Sequence, residues 1–259
     1  MTLGPIWPRA TTHAITTKQC VLGTSQALDY SKETTMNNDQ IIALVSGANR
    51  GLGKRFAAQL VERGAKVYAA ARRPETIDVF GVEPIQLDIT DPASVRRAAE
   101  VAGDINVLVN NAGTSTRATL LSGAFDDVRL EMETHYFGTL DVIRTFAPII
   151  EGNGGGAILN MLSVLSWLHA PASGAYSAAK AAAWAMTDAI RQELAPHGIS
   201  VTAVHVGYMD TDMAAFAPAD QKIDPAVVAR LALDGLLAGE PEILADDLTR
   251  ATKAHLSGG

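Results

Sequence analysis

The stretch Ile41-Ile42-Ala43-Leu44-Val45-Ser46-Gly47-Ala48-Asn49-Arg50-Gly51-Leu52-Gly53 decides the fold. Residues 41–45 are apolar at every position, the pattern of a strand covered on both faces. Three glycines then stand in the order G-x-x-x-G-x-G, and a helical pattern follows to about Arg63. Glycine in such a turn accepts φ > 0 and lets the backbone approach a pyrophosphate. The first turn of the helix adds free N–H groups and the positive end of its dipole. An ordinary strand-to-helix turn is the plainer reading, but it does not call for three glycines in seven residues.

Working outward, strands and helices alternate. Residues 66–71 read as a second strand, 84–87 as a short third, 105–109 as a fourth, 157–161 as a fifth, 200–206 as a sixth and 242–245 as a last. Helical patterns cover 93–102, a long stretch over 125–150, then 174–195, 225–238 and 246–255. In the long stretch the apolar face is set by Val128, Met132, Tyr136, Leu140 and Ile143. Alternation of this kind implies right-handed crossovers and a parallel sheet with helices on both faces. The expectation is therefore α/β: a Rossmann-type, doubly wound parallel sheet of about seven strands in a single domain, with the ligand beyond the carboxyl ends of the strands.

Composition sets the outer bounds. Of 259 residues, 47% are hydrophobic and 19% charged, a globular balance without a membrane-length apolar run. The net charge of -7 argues against a nucleic-acid partner. Cys20 is the only cysteine, so no intramolecular disulfide forms, which fits a reducing, cytoplasmic setting. No His-Glu-x-x-His or Cys-x-x-Cys spacing points to a metal. Residues 1–36 mix Pro, Thr, Ser and Gln without periodicity and read as a disordered extension; residues 37–259 read as the folded domain.

Tyr176 and Lys180 stand four apart in a helical pattern and so share a face. A phenol titrates near 10, too high for proton work at neutral pH, and a neighbouring ammonium lowers it. Lowering it three units needs ~4 kcal/mol, whereas an exposed pair supplies at most ~1 kcal/mol. The pair must therefore work in a water-poor pocket beside further positive charge. Ser163 lies upstream, just past a strand, and Asn110-Asn111-Ala112-Gly113 ends another.

Taken in order, the glycine turn, Asn110 to Gly113, Ser163, Tyr176 and Lys180 resemble the classical short-chain dehydrogenase/reductase family from about Gln40 onward. The resemblance implies hydride transfer between a nicotinamide and a carbonyl or secondary alcohol. In it Tyr176 is the acid/base and Ser163 bonds the carbonyl oxygen. Lys180 lowers the tyrosine pKa and holds the cofactor ribose. It also places Gly47, Asn49, Arg50, Gly51, Leu52, Gly53, Asp88, Ile89, Asn111, Ala112, Gly113, Gly207 and Thr211 at the cofactor, with Tyr176 and Lys180. Asp88 has a plainer role available, capping the helix near Pro92.

The end of the second strand chooses the dinucleotide. It reads Ala70-Ala71-Arg72-Arg73, without the acid that would bond the ribose hydroxyls of NAD. A guanidinium at Arg72, helped by Arg50, binds a 2′-phosphate as a fork, so NADP is expected over NAD.

Two positions depart from the family pattern. His135 occupies the slot of a common asparagine that holds a water beside the lysine, and Val206-Gly207 stands where Pro-Gly is usual, which predicts a less rigid turn. The segment 208–224, with Met209, Met213 and Phe216, reads as an apolar lid. Leu162, Leu165, Trp167, Leu168 and Trp184 read as the opposite wall. The partner expected is a medium-sized small-molecule carbonyl or alcohol, with neither nucleic acid nor membrane. A homodimer or homotetramer is expected from apolar surplus at Ile143, Phe146 and Ile150 and at Ala181, Ala182, Ala183 and Trp184. The competing reading is a dinucleotide sensor that keeps the fold without turnover; an epimerase or dehydratase using the same tyrosine and lysine is a third.

Overall fold

A five-residue apolar run has no polar face to give to water, and Ile42–Ser46 is accordingly a strand, β1, paired on both sides within the sheet. The computed structural model describes residues 41–257, and the expected extension over 1–36 lies outside them. Beyond β1 come α1 (Gly51–Glu62), β2 (Lys66–Ala71), β3 (Glu83–Gln86), α2 (Pro92–Val101), β4 (Val107–Asn110), α3 (Phe125–Met132), α4 (Thr139–Gly152), β5 (Gly156–Met161), α5 (Gly174–Leu194) and β6 (Ile199–His205). Two short strands, β7 (Tyr208–Met209) and β8 (Lys222–Ile223), precede α6 (Pro225–Leu237), β9 (Glu242–Leu244) and α7 (Asp247–Ser257). The expected elements are all present.

Seven strands pair in parallel in the order β3-β2-β1-β4-β5-β6-β9. The chain winds outward from β1 to one edge, returns to β4, and winds to the other. Beyond the carboxyl ends of β1 and β4 the connections part, which opens the crevice of a doubly wound sheet.

Successive residues of β1 point to opposite faces, and each face has its own core. Val45, Val109 and Leu159 pack with Phe56 and Leu60 of α1 and Leu233 of α6. Leu44, Leu108 and Ile158 pack with Val95 of α2, Phe146 of α4 and Ile190 of α5. Phe146 is fully buried, so truncating it to alanine is expected to cost about 3–5 kcal/mol.

The long helical stretch departs from its expected face. A π turn over Glu133–Gly138 joins α3 to α4. Of the expected face Ile143 is buried, whereas Val128, Met132, Tyr136 and Leu140 are only half-buried; Glu131, Thr134, His135, Gly138, Val142, Phe146 and Ile150 are buried beside it. Apolar periodicity missed this neighbouring stripe because its first half is polar. Gly138 sits where a Cβ would lie 2.6 Å from the Ile89 carbonyl oxygen, so the turn packs directly on the chain after β3. Part of the expected surplus is internal: Ile143, Phe146, Ile150 and Ala183 lie in the chain's own core, while Ala181, Ala182 and Trp184 are half-buried. Trp184 packs edge-on against Trp167, with centroids 5.7 Å apart.

Candidate active site

The crevice is built by close backbone packing. Gly47 has φ +67°, and a Cβ there would meet the Ala112 Cα at 2.9 Å. A Cβ on Gly53 would collide with the Gly47 carbonyl, so α1 can approach the turn only because residue 53 has no side chain. Arg50, at the N-cap of α1, makes no side-chain cap, and the first turn carries no acid. The leading N–H groups therefore remain for an anion.

Ser46 stitches β1 to β4. Its hydroxyl accepts the N–H of Asn111 and of Ala112, each at 3.0 Å, while Asn111 Nδ2 donates to the Ser46 carbonyl at 2.9 Å. Thr211 approaches the turn from the other side, its methyl 3.4 Å from a Cβ built on Gly51. These contacts form a cradle of small residues that fits a dinucleotide pyrophosphate. Leu52 is buried beneath it.

At the end of β2, Arg72 and Arg73 are exposed, and Asn49 Nδ2 donates to Thr76 Oγ1 at 3.1 Å, tying the glycine turn to the following loop. Arg50 extends to Asp212, 3.3 Å away, in a solvated pair of little energetic worth. Asp88 does not cap α2. That cap is Asp91, which accepts from Ala93 N–H at 2.9 Å. Asp88 instead receives the N–H and hydroxyl of Thr90, and its own N–H donates to Ser94 Oγ. Ile89, one residue on, is buried.

Ser163, Tyr176 and Lys180 meet beyond β4 and β5. Ser163 caps a short turn, accepting from Leu165 N–H at 3.1 Å, and its hydroxyl bonds the Tyr176 phenol. The start of α5 is held where Ala175 N–H donates to the Ala118 carbonyl. Lys180 lies one turn further, buried, with Nζ 2.7 Å from the Met161 carbonyl oxygen and 5.6 Å from the centre of the tyrosine ring.

Burial holds the Lys180 ammonium down at about 8, against the pull of the Glu131 carboxylate. Tyr176 is pushed up, by burial first and then by Glu131, with the Ser163 bond opposing. The expected lowering of the phenol is not seen: desolvation and the Glu131 charge outweigh the Ser163 bond.

His135, singled out by the sequence, belongs to this centre, and so do Glu131 and His205, which did not stand out there. Glu131 is wholly buried, with Oε1 receiving the Thr116 hydroxyl at 2.8 Å and the Thr116 N–H at 2.5 Å. Burial opposes its ionisation, but His135 and Thr116 outweigh this and hold the carboxyl below its usual range. His135 Nε2 lies 2.9 Å from the Thr114 carbonyl oxygen and 3.3 Å from Glu131 Oε2. Its ring stands edge-on to Tyr176, centroids 5.0 Å apart. Burial and the Lys180 charge hold its pKa down. A glutamate and histidine four apart read as an ordinary helix pair; only their burial betrays them.

The turn after β6 is firmer than expected. Gly207 N–H donates to Asp246 Oδ2 at 2.6 Å, and Asp246 Oδ1 receives the Thr249 N–H at the start of α7. A carboxylate just before the last helix does the work expected of a proline. Leu162 and Trp167 are buried, Leu162 lining the small cavity with His135 and Lys180, while Leu168, Met213 and Phe216 are exposed. Arg117, at φ +57°, lays its guanidinium over the Phe216 ring at 4.3 Å.

Comparison with known proteins agrees with this architecture. Residues 41–222 match the short chain dehydrogenase family model. A short chain dehydrogenase from Burkholderia cenocepacia, solved in complex with NADP, is 39% identical, with TM-score 0.82 over 86% of this chain and 94% of that one. The Drosophila melanogaster dehydrogenase/reductase SDR family protein 7-like is 29% identical over 237 residues, 80% of this chain and 73% of its own length. A 3-ketodihydrosphingosine reductase of Bacteroides thetaiotaomicron is 32% identical over 174 residues, 66% of this chain and 64% of its own. Among the described residues no helix is long and apolar enough to cross a membrane. With its parallel sheet, glycine cradle and family match, the chain belongs to the classical short-chain dehydrogenase/reductase family and is an oxidoreductase of that kind.

Proposed function

We propose that the chain is an NADP(H)-dependent oxidoreductase interconverting a carbonyl compound and a secondary alcohol. One observation carries the reading: Ser163, the Tyr176 phenol and the buried Lys180 converge at the carboxyl ends of the strands, beside the glycine cradle. The cofactor supplies or takes the hydride when bound. Tyr176 then supplies the proton that neutralises the developing alkoxide, and Ser163 donates a hydrogen bond to the same oxygen. Burial keeps Tyr176 protonated, the form a reduction needs at its start. Lys180 gives the site its positive charge and holds the ribose. In oxidation the same groups act in reverse.

Gly47, Asn49, Gly51, Leu52 and Gly53 would hold the pyrophosphate, and Asp88 and Ile89 would flank the adenine. Asn111, Ala112 and Gly113 would line the ribose, and Gly207 and Thr211 would meet the nicotinamide side. The preference for NADP is supported by the missing acid after β2, by exposed Arg72 and Arg50, and by the NADP in the Burkholderia relative. The mouth around Met213 and Phe216 favours a medium-sized ketone, aldehyde or secondary alcohol. We further propose assembly with a second copy, for which exposed Leu130 and Phe137 give apolar surface; light scattering showing only monomer at micromolar concentration would contradict it.

The test is to incubate pure protein with NADPH, then NADH, and a panel of carbonyl compounds while following cofactor absorbance. The reading expects turnover with at least one carbonyl and faster turnover with NADPH. Tight NADPH binding without turnover across the panel would favour a dinucleotide sensor instead.

A further inference from the structure

We propose that Glu131 is a positioning residue of this centre: its carboxylate, anchored on Thr116, favours the Nε2–H tautomer of the His135 imidazole and so leaves Nδ1 a hydrogen-bond acceptor on a ring that shares a small cavity with Lys180. The inference rests on the reading of Tyr176 and Lys180 given above.

A buried carboxylate without a lysine or arginine partner is expensive, and an apolar residue at position 131 would avoid the cost. Holding the loop at Thr116 requires only an acceptor, which an amide provides equally well. The charge is therefore the feature to be explained. Oε2, the oxygen not used by Thr116, lies 3.3 Å from His135 Nε2.

The Thr114 carbonyl is hydrogen-bonded to that nitrogen, and Oε2 lies near it without a hydrogen bond of its own, so both oxygens face Nε2. Nε2 consequently carries the proton, because a lone pair directed at two acceptors would be repelled. Among the described residues no group bonds Nδ1. The ring, only 3% exposed and braced edge-on against Tyr176, has little freedom to turn. His135 and Lys180 line one small cavity with Asn110, Asn160 and Thr139. Its volume is ≈ 10 Å³, the scale of a single water molecule.

The charged and titratable groups facing His135 are few. From α5 they are Tyr176 and Lys180, and from its own helix Glu131; the loop at 114–116 brings only threonine hydroxyls and backbone. An ammonium is donor only. The Nε2–H tautomer leaves Nδ1 as an acceptor on a ring that lines the same small cavity as Lys180. Glu131 thus acts through that ring on the surroundings of Lys180, besides its direct charge attraction to the ammonium.

Glu131→Gln separates this role from loop holding. The amide oxygen still accepts from Thr116, but the amide nitrogen now presents a donor to Nε2–H. The experiment is 15N NMR of cofactor-free protein labelled at histidine, with His135 identified by the resonances lost in His135→Asn. The parent should show the Nε2–H pattern, and Glu131→Gln should move His135 to Nδ1–H or to a mixture. An Nδ1–H ring in the parent, or an unchanged pattern in the variant, overturns the proposal.

The turnover arm measures kcat and cofactor Kd in four proteins. Glu131→Gln should lower kcat roughly tenfold in the parent, with Kd unchanged, and less than about twofold in the His135→Asn background, because coupled residues are not additive. Equal losses in both backgrounds would mean that Glu131 only holds the loop. A parent with the expected tautomer but no turnover would overturn the enzymatic reading while leaving the carboxylate–imidazole arrangement intact.

Discussion

His205 lies beneath Ser163: its Nδ1 is 3.1 Å from the serine carbonyl oxygen, and its wholly buried ring stacks on Trp167 with centroids 3.8 Å apart. Nε2 faces Glu242 Oε1 at 3.6 Å, and Glu242 in turn accepts from Lys253 Nζ at 2.8 Å. That ammonium also lies 4.7 Å above the Trp167 ring. β6, β9 and α7 therefore brace the serine assigned to the substrate carbonyl.

Burial holds His205 down at about 4, with the bond to the Ser163 carbonyl opposing. The folded value lies below the unfolded one, near 6.5, so the unfolded chain binds the extra proton between them. Stability should therefore be full above pH 6.5 and fall as pH drops towards 4, by at most ~3 kcal/mol from this group. His205→Phe keeps the stack and deletes the titration and the N–H. Urea melts from pH 4 to 7 should show a shallower acid loss in the variant, and kcat should drop about tenfold as the serine loosens. Identical pH slopes would remove His205 from this role.

Gly53→Ala puts a methyl group into the Gly47 carbonyl. It should destabilise the protein by about 2 kcal/mol or more and weaken cofactor binding. Gly152→Ala is the control: nothing lies within 4 Å of its added Cβ, so the change should stay within about 0.5 kcal/mol. Chemical melts and a cofactor titration of both variants check this contrast.

The glycine turn, the apolar β1 and the Tyr176–Lys180 pair were legible because each is a local constraint on residue type. The rest was not, because its partners are distant in sequence. Glu131 meets Thr116 across 15 residues, Asp246 meets Gly207 across 39, and His205 meets Ser163 across 42. Burial of Glu131 also runs against the ordinary expectation for a glutamate, so hydrophobic patterning drew the helix face beside the true one. The sequence offered Asp88 as the cap of α2, but the cap is Asp91, whose backbone is extended, φ -113° and ψ 105°.

The cofactor preference has its own test. Ala71→Asp combined with Arg72→Ala removes the guanidinium and adds an acceptor for ribose hydroxyls. Affinity for NADP should fall and that for NAD rise, shifting the ratio of the two by an estimated tenfold or more, equivalent to about 1.4 kcal/mol. An unchanged ratio in paired titrations would place phosphate recognition elsewhere.

Lys180 is held down at about 8, below its unfolded value near 10.5. The unfolded chain thus binds more protons between these values, so stability should climb as pH rises through that window. Below it the penalty is complete. Lys180→Met removes the penalty and loses the bond to the Met161 carbonyl. The net expectation is a gain of about 1–2 kcal/mol at pH 7, together with lost turnover. A melt that shows Lys180→Met to be less stable at pH 7 would contradict the assigned environment.

The most direct measurement of the central claim is turnover by Tyr176→Phe, using NADPH and whichever carbonyl the parent reduces. The change removes the hydroxyl that bonds Ser163 and leaves the ring against His135. Fold and NADPH affinity should be unchanged within about twofold, while kcat falls by at least about 10²-fold, the lower range for a general acid. A folded, NADPH-binding Tyr176→Phe protein that keeps near-parental kcat would show that the proton comes from elsewhere, and the assignment of this site would fail.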